Sequence, residues 1–246
     1  YGNFHELEKI TKKYDLAAVK LEVARSSSPD IDFLKKVRDF TKRKKIVLIF
    51  DECTSGFRCN YGGLHLKTGV NPDLVMFGKT LGNGYPITAV SGKASIMKKA
   101  ENSFISSTFW TDKIGYVAAL ETLKKMKKIK SWEKILLNSN YLEKKWLVLA
   151  KKYDLKISIS GFKAITSFIF EKDHSVFKTF ISQEMLKKNI LATNLVFLNI
   201  HHTKKVIDIY LNELNKIFRV ISQKDNSQIK SLINGPICKT GFKRNN

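Results

Sequence analysis

The chain has 246 residues, of which 43% are hydrophobic and 27% charged, enough apolar material to offset the entropy of ordering and to exclude a disordered chain. No stretch approaches the roughly 18–20 uncharged apolar residues that a membrane-spanning helix needs; three cysteines (Cys53, Cys59, Cys238) without CxxC spacing exclude a disulfide scaffold, argue against a zinc site and suit a reducing cytoplasm. The net charge of +22 leaves two readings open: scattered surface lysines, or a basic surface for nucleic acid or membrane. Only six of the 44 basic residues are Arg, and the lysines are spread along polar helix faces, which favours the first.

In chain order, residues 3–13 place Phe4, Leu7 and Ile10 on one face of a short amphipathic helix. Residues 16–21 form a compact apolar run, read as a buried strand ending at Glu22, and 26–29 are a Ser-Ser-Ser-Pro loop. Residues 31–45 carry Phe33, Leu34, Val37 and Phe40 at helical spacing. Three further apolar strands are predicted: 46–50, ending at Asp51; 74–77, entered through Asn71-Pro72-Asp73 and followed by Gly78-Lys79; and 87–91, after the Gly82-Asn83-Gly84-Tyr85-Pro86 turn. Helices follow over 111–130 and 132–153. Beyond residue 156 the pattern changes to short strands (157–160, 165–170, 190–192, 196–200) separated by helices at 175–188 and 203–222. This shift sets a domain boundary near 131–155. The tail, 223–246, is polar, carries turn residues Gly235, Pro236 and Gly241, and is expected to pack loosely. The chain opens on Tyr1 rather than Met and shows no signal-peptide pattern, so it reads as a fragment or a processed product.

Strands that are apolar throughout are buried on both faces, as in a mainly parallel sheet covered by helices. Ligands in such sheets sit beyond the carboxyl ends of the strands. Glu22, Asp51 and Lys79 each fall at or just after such an end. A lysine buried there, between glycine turns, loses basicity and becomes a nucleophile able to form an imine with an aldehyde; the competing reading is one more surface lysine. A strand-end aspartate needs a cation or several donors. A protonated pyridine nitrogen satisfies Asp51, and so does a helix cap or a structural ion pair; adjacent Glu52 requires that one of the two carboxylates face away. Ser106, Ser107 and Thr108 precede a helix, where hydroxyls and free amides bind phosphate or simply cap, Thr111 or a neighbour being the expected cap. No GxGxxG or GxxxxGK[ST] motif supports a nucleotide-binding enzyme.

Four segments in order carry a resemblance. They are Asp51-Glu52-Cys53-Thr54-Ser55-Gly56-Phe57-Arg58, Gly62-Gly63, Gly69-Val70-Asn71-Pro72-Asp73-Leu74 and Gly78-Lys79-Thr80-Leu81-Gly82-Asn83-Gly84-Tyr85-Pro86. Together they resemble the class III aminotransferases, fold type I enzymes that use pyridoxal 5'-phosphate, and within them the glutamate-1-semialdehyde 2,1-aminomutase-like branch. The likeness continues through residues 104–111 and reaches Gln183-Glu184-Met185-Leu186.

The resemblance implies an α/β fold: a partial large domain with a mainly parallel sheet over 1–135, and a small α+β domain over 136–246. It implies that Lys79 holds pyridoxal 5'-phosphate as a Schiff base and moves the proton between substrate and cofactor. Asp51 is implied to pair with the pyridine nitrogen and keep the ring an electron sink. Cys53 falls where many relatives pack Val on the ring face, and Thr54 where relatives have Gln or Met near the ring hydroxyl. Thr108 matches a threonine that reaches the cofactor phosphate of a neighbouring subunit, so a homodimer with shared sites is implied. Glu22 matches the glutamate of a Val-Glu-Pro-like strand end, although Ala24 and its neighbours depart from that pattern. The implied activity moves an amino group between an amino compound and a carbonyl acceptor, with intramolecular, aminomutase-type transfer as the alternative. A non-catalytic remnant or basic binding module is the alternative of another class. Family members extend further on the amino-terminal side, so the chain alone is expected to expose a sheet edge and to fold poorly.

Overall fold

The structure is a computed structural model that describes residues 2–24 and 27–239. Tyr1, residues 25–26 and residues 240–246, which take in Ser26 of the predicted loop and Gly241 of the tail, lie outside the described residues. The chain divides into two compact units between Glu133 and Lys134.

The first unit is built on a four-stranded sheet: β1 (Ala18–Glu22), β2 (Val47–Asp51), β3 (Leu74–Phe77) and β4 (Ala89–Gly92), in that spatial order. β1, β2 and β3 are parallel, and β4 runs antiparallel to β3. Helices α1 (Phe4–Lys13), α2 (Ile31–Arg43), α3 (Ala94–Met97) and α4 (Lys113–Ile129) complete it. α2 starts where Asp30 accepts a hydrogen bond from the Phe33 amide and ends in Lys42 and Arg43, charges that suit the two poles of the helix. Its apolar stripe, Leu34, Val37 and Phe40, is buried, as are Leu48 and Phe50 of β2, against which it packs. Phe4 of α1 meets Phe40 edge-on, with ring centroids 5.5 Å apart.

Contrary to the expectation from the sequence, no strand of this sheet is buried on both faces. β2 and β3 bury one face, through Leu48, Phe50 and Val75, and leave the other half-buried; the edge strands go further, β1 carrying exposed residues and β4 being exposed at all four. An apolar run is buried only if something covers it, and β4 is paired in the sheet with β3 alone and stays exposed along its length. α4 is capped by Asp112, the residue next to Thr111, whose carboxylate accepts from the Ile114 amide. Asp73, read in the sequence only as strand entry, is a buried tie. It accepts from the Leu48 amide (2.8 Å) and is ion-paired to Arg38 of α2 (2.9 Å) and to Lys93 just after β4 (2.6 Å).

The second unit joins α5 (Ser131–Lys152), α6 (His174–Leu186), α7 (Lys204–Ser222) and α8 (Asn226–Ser231) to an antiparallel sheet of β5 (Ile157–Phe162), β6 (Ile165–Phe170) and β7 (Leu195–Phe197). Its core is aromatic. Phe168 meets Trp146, Phe170 and Phe218 in edge contacts with centroids 5.0, 5.5 and 5.7 Å apart. α7 inserts Ile207, Tyr210, Leu211, Leu214, Phe218 and Ile221, a stripe at helical period.

Residues 190–192 form no strand. Asn189 turns left-handed (φ 58°), the Ile190 amide closes back on the Met185 carbonyl, and Leu191 points outward at 96% exposure. The tail is not loose over its described part. Asp225 and Gln228 form a capping box that starts α8, Ile229 is fully buried, and Gln183 of α6 clamps the Leu232 carbonyl and the Asn234 amide. One buried isoleucine in a polar stretch gives no period to detect; the Asp-x-x-Gln spacing was the available signal.

Candidate active site

Glu22, Asp51 and Met76 stand side by side in the register of β1, β2 and β3, so the three parallel strands end level. Lys79 follows three residues after Met76 and opens a tight 3-10 turn, Lys79–Leu81. Its backbone is left-handed (φ 45°), a strained setting for a non-glycine residue. Gly82 closes the turn where a Cβ would lie 2.1 Å from the Tyr85 carbonyl oxygen, so no larger residue fits without moving the backbone.

The structure brings four of the predicted residues together. Lys79 Nζ donates to Thr54 Oγ1 at 2.8 Å. The Cys53 amide donates to Asp51 Oδ1 at 3.0 Å. Cys53 lies within electrostatic reach of both Asp51 and Lys79. Lys79 is exposed, not buried as the sequence suggested: the sheet end on which it stands is open among the described residues. Thr108 is not joined to this cluster. It lies in an exposed turn with Phe104, Phe109 and Trp110, which are 98%, 78% and 54% exposed.

Burial opposes charge on Asp51, but the Cys53 amide and the Lys20 ammonium outweigh it and hold the carboxyl below its ordinary range. Cys53 is pushed the other way by burial and by the Asp51 carboxylate, against the pull of Lys79 and Lys20, so it stays a thiol at neutral pH.

One residue of this site, Lys20, was not singled out in the sequence, and Glu52 was read there only as a neighbour of Asp51, one of the two having to face away. Lys20 of β1 reaches across to Asp51 Oδ2 at 3.1 Å; a charge inside an otherwise apolar strand, two residues before Glu22, was the signal. Glu52 is fully buried and is the carboxylate that faces away from Asp51. Its Oε1 accepts from the His65 amide (2.7 Å) and pairs with His65 Nδ1 (2.8 Å). Its Oε2 accepts from the Leu64 amide (2.9 Å) and the Ser55 hydroxyl. Burial raises the acidity cost, yet these four partners win and keep Glu52 below its ordinary range. Glu52 thereby pins the 52–65 loop, which carries Cys53 and Thr54 to Lys79.

Comparison with known proteins adds the family. The profile described as "Aminotransferase class-III" matches residues 3–211. The chain is 31% identical over 242 residues to the glutamate-1-semialdehyde 2,1-aminomutase of Nitrosopumilus maritimus, covering 88% of this chain and 55% of that protein. It is 45% identical over 96 residues to the 3-aminobutyryl-CoA aminotransferase of Cloacimonas acidaminovorans, covering 39% and 23%. Among solved structures, the FumI protein of Sphingopyxis sp. MTA144, in its PLP internal aldimine form, superposes with TM-score 0.84 at 22% identity, covering 91% of this chain and 56% of that one. An omega-transaminase from Sphaerobacter thermophilus does so with TM-score 0.81 at 20% identity, covering 91% and 57%. At these identities the structural likeness speaks for the fold, an α/β transaminase fold with a mostly parallel sheet. The chain spans little more than half the length even of the relatives that match most of it. With the profile covering most of the chain and the strand-end lysine and aspartate in place, the chain belongs to the class III aminotransferase family.

Proposed function

We propose that this chain carries the lysine and carboxylate of the active site of a pyridoxal 5'-phosphate-dependent enzyme that moves amino groups between amino and carbonyl compounds. One observation carries the reading: an exposed primary amine, held by Thr54, and a carboxylate, held by the Cys53 amide and Lys20, stand at the level ends of adjacent parallel strands. That donor set fits the cofactor, the amine matching its aldehyde and the carboxylate its cationic ring nitrogen. Bound there, pyridoxal phosphate supplies an electrophilic carbon for amines and a ring that withdraws electrons. Lys79 Nζ, oriented by Thr54, takes and returns the proton at the substrate carbon. Asp51 offers a fixed negative charge to the ring nitrogen. Cys53, as a neutral thiol, offers a small apolar surface beside it.

Residues 1–135 act as part of the large cofactor domain and 136–246 as the small domain, a reading supported by the division at Glu133. Thr108 serves the phosphate of a second copy in a homodimer. The exposure of Phe104, Phe109, Trp110, Ile114, Val117 and Leu120 around it supports an apolar interface there. Three free cysteines fit the cytoplasm. The names of several relatives favour a second reading for the reaction, intramolecular transfer of the aminomutase kind. The two part on whether an external 2-oxo acid is consumed.

The test is borohydride reduction of the full-length protein with pyridoxal phosphate, followed by peptide mapping. A phosphopyridoxyl group on Lys79 alone is expected. Diffuse labelling across the lysines, or none, would overturn the reading.

A further inference from the structure

Asp51 already has a cation. Lys20 Nζ stands 3.1 Å from Oδ2, while Oδ1 holds the Cys53 amide. The two partners differ in kind. The amide belongs to a backbone pinned by Glu52 and cannot leave without unfolding the loop. The ammonium ends a flexible four-carbon stem whose side chain is 53% exposed in this chain, so it moves at little cost. A second cation approaching Asp51 therefore meets Lys20 at the one oxygen that is exchangeable.

We infer that Lys20 is a built-in competitor for Asp51, a positioning residue that occupies Oδ2 before the cofactor arrives and then opposes the cofactor's ring nitrogen for it. This role rests on the reading of Asp51 as the partner of that nitrogen. A lysine that only stabilised the sheet edge would support cofactor binding or leave it alone; a competitor weakens it. Lys20 thus sets cofactor affinity, and the protein gives up cofactor more readily than the same site without it.

The test is a titration of the full-length protein with pyridoxal phosphate, followed by the visible absorbance of the lysine-bound cofactor and by dialysis. Lys20→Met keeps the stem and removes the charge, and it should tighten the apparent Kd about 5-fold, the upper range for a half-exposed ion pair. Lys20→Arg, which keeps the charge, should bind as the native protein does. Against an Asp51→Asn background Lys20→Met should change nothing, because the contested charge is gone. Unchanged or weaker binding by Lys20→Met in an otherwise native protein overturns the competition while leaving the functional reading intact. A native protein that takes up no cofactor on Lys79 overturns the functional reading and the competition with it.

Discussion

Replacing Glu52 by Gln tests whether the loop that brings Cys53 and Thr54 to Lys79 is held by a buried charge. The carboxylate is fully buried and meets four donors: the Leu64 and His65 amides, the Ser55 hydroxyl and His65 Nδ1. A glutamine has the same shape but only one acceptor oxygen. If its nitrogen takes the Oε2 position, the Ser55 hydroxyl can rotate to accept, but the Leu64 amide is left facing a donor. If it takes the Oε1 position, His65 Nδ1 can accept in its other tautomer, but the His65 amide is stranded. One buried amide is lost either way, at about 1–3 kcal/mol, and the remaining bonds lose their charge assistance, about 1 kcal/mol more. Glu52→Gln should therefore cost about 2–4 kcal/mol, and Glu52→Ala, which orphans all four donors, about 3–5 kcal/mol. Urea unfolding of the full-length protein measures both, and cofactor retention should fall alongside because Thr54 no longer holds Lys79. A Gln variant within about 0.5 kcal/mol of native would refute the account, since that is the range of a substitution at a featureless surface position.

The pH dependence carries a definite sign. Asp51, Glu52 and Asp73 are all held below their ordinary range, so their contribution is complete above the unfolded carboxyl values near 4 and is lost as pH falls through the folded ones. The urea midpoint should stay level from about pH 7 to 5 and drop below about pH 4, and Asp73→Asn should flatten part of that drop. At the proposed interface, Val117→Lys with Leu120→Lys should shift sedimentation from dimer to monomer without unfolding α4, because both side chains are exposed in the chain itself (57% each).

Much of the fold was legible because its signals are local. Apolar residues three or four apart announced α2 and α7, and short apolar runs ending in Asp51 or Gly78 announced β2 and β3. The strand-end placement of Lys79 and Asp51 was legible for the same reason: a charged residue just after an apolar run is an exception that the sequence displays. Cover is not local. Residues 87–91 look as buried as 46–50, yet β4 is fully exposed and β2 is not, because β2 has a strand on either side and α2 against it. Residues 190–192 have strand composition, but the turn after α6 carries them outward before β7 begins.

The sequence by itself determined the periods, the turns and the two charged strand-end residues on which the proposed site rests. Tertiary structure decided what those residues touch. Asp51 and Glu52 are neighbours with the same charge, and alternation along the strand sends them to opposite sides. Only the arrival of Leu64 and His65, 12 and 13 residues later, makes one of them a buried anchor. Only the pairing of β1 with β2 puts the Lys20 ammonium, 31 residues earlier in the chain, on the other. A charge's partner is set by distance in space, which pairing and packing fix and which no window of neighbouring residues contains.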